Sequence, residues 1–411
     1  MLAGCGASQP RRSVPVHGPP NTIRIALEHV RWPIAPRDVR TRDEAVLVRT
    51  LLATPLRSSA SGKLVAGLCS SWRSSNLRVW RLRCADAPAV ARAVPVGHAI
   101  ARRNVVRVTL PFRWLRFPYV LASARAAVPG TRGPFTVERV SPRAVVARRG
   151  RMRLVFRQVA PARAAVLFRR GALDEAPVPL GDIRAAQRDA VVARSVRVTQ
   201  LRAVDAVVFD PRGALARFPG VRRAYWQTAQ RDDYRSLVPE EHAAAAVSLV
   251  PGYSPRRTRA RAYRAARTAI PSLPIVHPRI GAAPGLAYGR DVLVAAWRDM
   301  SLPARRGGHD GILRRVAATY PQDEAILGSL LLRGALPGRA AIVRALGERD
   351  DGADLRRADD ALFESAAVIP IAWAVDARFV SPRLRGWRED TLGVPDYARV
   401  RVRSRETTRR R

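Results

Sequence analysis

Lysine is almost missing from this chain of 411 residues: Lys63 is the only one, and every other one of its 73 basic residues is arginine. Acidic residues number 33, which leaves a net charge of +40. Such a balance ordinarily marks a nucleic-acid or anionic-surface partner. Here the arginines are spread along the chain, apart from the tail "RVRSRETTRRR". Abundant Ala, Arg and Pro beside missing Lys matches a GC-rich coding bias, so nucleic acid is not the expected partner. Long apolar runs are missing too. The best, "AAVIPIAWAV", falls well short of the roughly 18 residues that cross a bilayer. A membrane tie would therefore be an anchor. Disorder is excluded by the apolar content of 47%, and the length allows two or three domains.

Catalytic signatures are also lacking. None of His17, His29, His98, His242, His277 and His309 has an i, i+4 partner, and no cysteine pair has metal-ligand spacing. No GxSxG elbow, phosphate loop or GxGxxG after a strand is found. "RGGHDG" reads as a surface loop. Asp174-Glu175 and Asp232-Asp233 are neighbours in sequence, so their side chains diverge and make poor acid/base couples. Neither an enzyme, a metal site nor a cofactor is expected. In "PFRWLRFPY", Phe112, Trp114, Phe117 and Tyr119 alternate with Arg113 and Arg116. That pattern suits stacking on single strands, but beside the strand-like "NVVRVTL" a core position is the simpler assignment.

Three cysteines are present. Cys69 and Cys84 flank "SSWRSSNLRVWRLR", which reads as a β-hairpin turning at Asn76. The pair would face each other, either as a disulfide in an oxidising compartment or as two buried thiols. Cys5 follows Leu2-Ala3-Gly4, the form of a bacterial lipobox. A secretory signal needs a basic region and about 7–15 apolar residues before it, and only Met1 precedes the box.

Residues 7–20, rich in Ser, Pro and Gly, suit a tether. "TIRIALEHV" alternates like a strand, and "RDEAVLVRTLLATPL" has helical spacing through Ala45, Leu47, Val48, Leu51 and Leu52. Short strands are expected across 130–159, then a helix ending at Gly171. Further on, "AVDAVVFDP" reads as a strand, "GVRRAYWQTAQRDDYRSLV" as one helix and "PRRTRARAYRAARTA" as a basic helix. "LPIVHPRI" reads as a strand, "GRDVLVAAWRDM" as a helix and "GILRRVAATYP" as a strand running into the helix "QDEAILGSLLL". A long helix from "DDGADLRR" is expected to stop at Pro370. The alternation makes the class α/β.

Seven stretches in order carry a family likeness. After the first strand, Gly62, Lys63, Leu64, Val65, Gly67, Leu68, Ser71 and Trp72 match a "dGklvPgLAeSW" signature. "LRVWRLR" follows, then "PGTRGPF" with Gly133, Pro134 and Phe135, then "LFRRGALDEAPVP". Val221, Arg222, Arg223 and Ala224 fall in a "vRrAl" pattern, and "VIPIAW" with "SPRLRGW" closes the series. Over about residues 22–402 the chain resembles the extracellular solute-binding proteins of family 5, the peptide and nickel receptors of ABC importers. The resemblance implies a two-lobed, Venus-flytrap fold of the periplasmic-binding-protein type, with mixed sheets and a hinge. Lobe I would hold residues 22–205 plus 371–411 and lobe II residues 206–370, with 1–21 as lipobox remnant and tether. The chain would cross between lobes near "VVFD" and "IPIAW". It further implies a monomeric receptor that shifts between open and closed forms on binding a solute, most of all a peptide, and hands it to a membrane permease. Such receptors are exported and commonly lipid-anchored, which would make Cys5 the lipid site and place the true start upstream of Met1.

Two departures stand out. "ADAPAVARAV" is short where the family has an aspartate-rich segment. In peptide-binding members an aspartate before an aromatic pairs with the peptide's α-amino group; in "RRVAATYPQDEA" Tyr320 fits the aromatic but Thr319 holds the acid's place. A hydroxyl cannot make the charge-assisted bond a carboxylate makes. Asp323 and Glu324 belong to the next helix start, where acids are expected. By the resemblance Arg315, Thr319 and Tyr320 are the ligand-binding candidates, with Tyr320 as mere packing the alternative. Two other readings stay open: a basic surface protein binding nucleic acid or anionic polymers, and a degenerate receptor that has lost its ligand.

Overall fold

The alternation in "TIRIALEHV" is realised as strand β1 (Thr22–Leu27), which buries Ile23, Ile25 and Leu27 on one face and Ala26 on the other. It belongs to a computed structural model that describes residues 19–59, 62–237, 244–253, 268–283, 285–332, 339–347 and 352–403. Cys5, most of the tether, the basic stretch 254–267 and the arginine tail from 404 lie outside the described residues.

Short strands β2 (Leu56–Ser58) and β3 (Leu64–Ala66) form a hairpin. A separate sheet of order β4-β5-β7-β6 follows, from β4 (Cys69–Ser74), β5 (Val79–Cys84), β6 (His98–Arg102) and β7 (Val105–Thr109). The turn before β5 is made by Asn76, whose Oδ1 accepts the backbone N–H groups of Arg78 and Val79 at 3.0 and 2.8 Å. That register sets Cys69 opposite Cys84, and their sulfurs are bonded at 2.06 Å. Downstream, Trp114 and Phe117 of "PFRWLRFPY" are wholly buried in the cluster this sheet shares with residues 316–368. Burying each such side chain stabilises by roughly 1.5–3 kcal/mol.

A ten-stranded mixed sheet runs through the rest of the molecule. One half holds β1, β8 (Thr136–Ser141), β9 (Ala144–Arg149), β10 (Met152–Gln158) and β11 (Glu175–Pro177). The other holds β13 (Arg279–Ala282), β14 (Arg305–Arg306) and β15 (Gly311–Ala317). Two long antiparallel strands, β12 (Val196–Phe209) and β16 (Val368–Val380), pass through both halves. The β12–β16 pairing breaks between Gln200 and Val204, opposite Val375 and Trp373, and again between Asp205 and Ala206. Such irregularities bend and twist a strand. The two strands carry the sheet from one half into the other. The break in β12 lies upstream of "VVFD", and that in β16 falls inside and just after "IPIAW". Small strands β17 (Leu384–Arg385) and β18 (Arg401–Val402) pair with each other.

Three expectations are corrected. The helix Ala353–Ser365 ends at Ala366, in the left-handed region at φ 45°, and Pro370 stands inside β16 instead of stopping the helix. Pro370 sits opposite Ala206, at the second register break, the kind of irregularity where a strand accommodates a proline. "LPIVHPRI" is extended as a strand only from Arg279, because Pro274 and Pro278 cannot donate to a ladder. "GVRRAYWQTAQRDDYRSLV" forms two helices, Pro219–Thr228 and Arg231–Arg235. Between them the Arg231 guanidinium folds back over Trp226, 4.6 Å from the ring centre, and donates to the Pro370 carbonyl at 3.0 Å.

Candidate interlobe binding site

Strand alternation along β15 sends Arg315 and Leu313 to one face and Arg314 and Val316 to the other. Arg315 Nε donates to Asp205 Oδ1 at 2.9 Å and its Nη2 to Oδ2 at 3.3 Å, while the Tyr234 hydroxyl donates to Oδ2 at 3.1 Å. Burial works against the Arg315 charge, but Asp205 outweighs it and holds the guanidinium firmly protonated. Thr319 Oγ1, Gln322 Oε1 and Arg314 Nε are enclosed without a hydrogen-bond partner among the described residues. Tyr320 is different: it is only 1% exposed, and its hydroxyl accepts Trp114 Nε1–H at 3.1 Å. Burial pushes that hydroxyl's pKa well up. The ligand-facing role expected of Tyr320 therefore gives way to packing between Trp114 and Tyr119, whose ring centre is 5.9 Å away. Asp323 and Glu324 do precede a helix, Ala325–Leu331, and both are also paired: Asp323 with Arg202 at 2.7 Å, Glu324 with Arg116 at 3.1 Å.

Sequence reasoning missed a buried charge cluster where lobe I meets the crossing strands. Arg42, first residue of the helix Arg42–Leu51, reaches Asp376 Oδ2 at 3.0 Å and Glu175 Oε1 at 3.6 Å, and contacts Glu389. Glu175 also accepts Arg378 Nη2 at 3.1 Å, Trp387 Nε1 at 2.7 Å and the Tyr397 hydroxyl at 2.9 Å. Its neighbour Asp174 takes Arg24 and Arg383 instead, so the adjacent carboxylates diverge as their spacing requires. Burial opposes ionisation of Asp376, but Arg42, Arg378 and Arg315 outweigh it and hold the carboxyl below its usual range. Glu389 is pushed the other way by burial and by Asp376. No local signal could reveal this set, because its members come from five separated segments.

At the end of β1, Asp43 accepts the backbone N–H groups of Glu28 and His29 at 2.7 and 3.3 Å. That turn aims the Glu28 carboxylate at the other lobe. A Cβ on Gly285 would stand 3.7 Å from Glu28 Oε1, and Gly285 has φ +78°, where a side chain would be strained. Burial and then Asp43 raise the Glu28 pKa. Glu28 is thus a half-buried acid facing Gly285, and no motif singled it out beforehand.

No family model matches the sequence, and no curated protein matches it either. Solved structures do match. The murein tripeptide binding protein MppA of Escherichia coli aligns with a TM-score of 0.79 at 13% identity, over 94% of this chain and 99% of that one. Haemophilus influenzae OppA, complexed with the peptide RPPGFSPFR, aligns at 0.78 and 12% identity, over 93% and 99%. The fold is that of the family 5 solute-binding proteins. MppA in its unliganded open form aligns less well, at a TM-score of 0.63 and 13% identity over 94% and 98%. Contacts join the segment Trp114–Arg116 to residues 320–346. Trp114 meets Tyr320, Arg116 meets Glu324, and the Leu115 N–H donates to the Leu346 carbonyl at 2.9 Å. A Cβ on Gly328 would come within 3.0 Å of the Trp114 ring, so the helix Ala325–Leu331, buried along its whole length, lies flat against that indole.

Proposed function

We propose that this chain is the substrate-binding component of an ABC importer, which encloses a peptide or peptide-like solute between its lobes and delivers it to a membrane permease. The observation that carries the reading is the fold, shared over more than nine-tenths of this chain with a murein tripeptide binding protein and with peptide-loaded OppA. Two neighbours in fold are named for a murein tripeptide and for a bound nine-residue peptide, which supports a peptide-like solute. Thr319 in place of an acid favours ligands that do not depend on a free α-amine. The role is binding rather than turnover, and the working unit is a monomer. The Cys69–Cys84 bond suits an oxidising, extracytoplasmic compartment, with Cys5 as the lipid attachment point.

The test is thermal unfolding of the full chain at two salt concentrations. Probes are a peptide library with free and with acetylated N-termini, single-stranded DNA, and a teichoic-acid-like polymer. Ligand at about 100 times its Kd adds near 2.7 kcal/mol, which raises Tm by roughly 3 °C for a chain this long. A peptide-induced rise that survives high salt is the expected result. A rise with polymers alone, lost as salt displaces them, overturns the proposal in favour of a polyanion-binding surface.

A further inference from the structure

In the buried cluster around Arg42, two guanidinium groups face four carboxyl groups. Arg42 Nη1 lies 3.6 Å from Asp43 Oδ1, its Nη2 3.6 Å from Glu175 Oε1 and its Nε 3.0 Å from Asp376 Oδ2; Nη2 also contacts Glu389. Arg378 is the second cation, 3.1 Å from Glu175 and 4.0 Å from Asp376. Arg315 acts on Asp376 from further off and is already taken by Asp205. Four anions on two cations away from water repel one another, and a carboxyl that keeps its proton relieves them. The hydrogen bonds tell which one. Glu175 accepts from Arg378, Trp387 and Tyr397, and Asp43 from two backbone N–H groups. Glu389 has a wholly buried side chain, and its Oε2 is enclosed without a hydrogen-bond partner among the described residues. Asp376 Oδ2 lies beside Arg42 Nε but makes no hydrogen bond either. Two carboxylate oxygens cannot bond each other, whereas a proton on one gives both a partner.

Glu389 belongs to the loop 386–396, which packs on β12 where its pairing with β16 breaks. The Arg202 N–H donates to the Thr391 carbonyl at 2.7 Å, and a Cβ on Gly393 would come within 3.0 Å of Leu201. Both Leu201 and Arg202 lie in the break between Gln200 and Val204. We infer that Glu389 holds a proton at neutral pH and donates it to Asp376 Oδ2, and that this bond is a pH-sensitive latch fastening the loop 386–396 over the break in β12. Burial first, then Asp376 and behind it Glu175, push the Glu389 carboxyl up to about 8, against the pull of Arg42 and Arg378. The charged neighbours on the loop itself are Arg388 and Asp390, and Asp390 is paired with Arg49. Because the folded chain favours the protonated acid, the stabilisation is complete below the ordinary glutamate range. It is lost as pH rises through about 8, when the proton leaves to solvent and a second carboxylate faces Asp376. The latch goes beyond the receptor reading and stands whatever solute binds.

The experiment is hydrogen exchange of the loop 386–396 and of the Arg202 amide in the full chain, at about pH 7 and about pH 9, with rates corrected for base catalysis. In wild type, protection should fall roughly tenfold between the two, one unit past the transition. E389Q is neutral at both and still offers an N–H to Asp376, so its protection should not change. Infrared difference spectra should show a protonated-carboxyl band lost over the same range in wild type and absent from E389Q, a readout that packing alone would not move. Unchanged protection in wild type overturns the latch, and so does a parallel fall in E389Q. D376N gives an independent test should E389Q fail to fold. Without the second carboxylate, Glu389 ionises against Arg42 and the step moves below neutral pH. A step still near 8 in D376N assigns the proton to another group and overturns the latch.

Discussion

Trp114→Phe tests whether the Trp114–Tyr320 contact clasps the two lobes. The substitution keeps an aromatic ring against Phe117 and the helix Ala325–Leu331 but removes the Nε1–H that donates to Tyr320 across 3.1 Å. Loss of one buried hydrogen bond is worth about 1 kcal/mol. The smaller ring leaves a void beside Gly328, where the fit is tight enough that a Cβ would meet the indole at 3.0 Å. The void adds a similar amount, about 1 kcal/mol. Together they shift the open-to-closed ratio by roughly thirtyfold, since each 1.4 kcal/mol is a factor of ten. Small-angle X-ray scattering of the ligand-free protein reads this directly. Wild type should scatter as the closed form and W114F should gain a measurable open population with a larger radius of gyration. A wild type that is already open refutes the reasoning. So does a W114F protein whose Tm falls while its scattering profile stays put, because Trp114 would then be a core residue of one lobe and no clasp.

Two further outcomes follow from single side chains. Asp359 is buried, accepts the Leu249 N–H at 2.8 Å, and has its pKa pushed up by burial from 3.8 to about 6. Its contribution to stability is therefore fully present below about pH 4 and is lost as pH rises through 6, a difference of about 3 kcal/mol. D359N keeps an acceptor for Leu249 and should flatten that part of the pH–stability curve, gaining on wild type at pH 7.5 in chemical denaturation; an equal loss at both ends of the range would contradict it. Thr319→Asp should restore what the wild type lacks, a preference of about tenfold for free over acetylated N-termini, as a charge-assisted bond provides. Calorimetry with paired peptides checks it, and indifference to acetylation in T319D would remove Thr319 from the amine end of the site.

The legible parts of this fold are those written in short segments. The turn at Asn76 and the alternation on either side determine the hairpin that brings Cys69 to Cys84, because every bond involved spans a few residues. The same holds for β1 and for the helix that ends at Gly171, whose φ of +67° is the ordinary stop. Pro370 misled because a proline's meaning depends on what lies opposite it. Without knowing that Ala206 faces it across a register break, a helix stop is the natural inference, and with that knowledge a strand interior is. The two-lobed fold was visible through the order of weak motifs, and the crossing was placed near "VVFD" and "IPIAW", but the register breaks between β12 and β16 were not, since they are set by pairing between strands about 170 residues apart.

The site was the least legible for the same reason carried further. Arg315 was identifiable, yet its partner Asp205 neutralises it, so the arginine most readily chosen is the one least free to bind. Arg314, one position along, points to the other face and has no such partner among the described residues. A chain with this many arginines hides its functional ones in plain composition, and only burial separates them. An exposed guanidinium is hydrated and costs nothing, so it says nothing. The excess charge is thus a solvated majority that reflects sequence bias and a few arginines held by buried acids, as Arg315 is by Asp205 and Arg378 by Glu175.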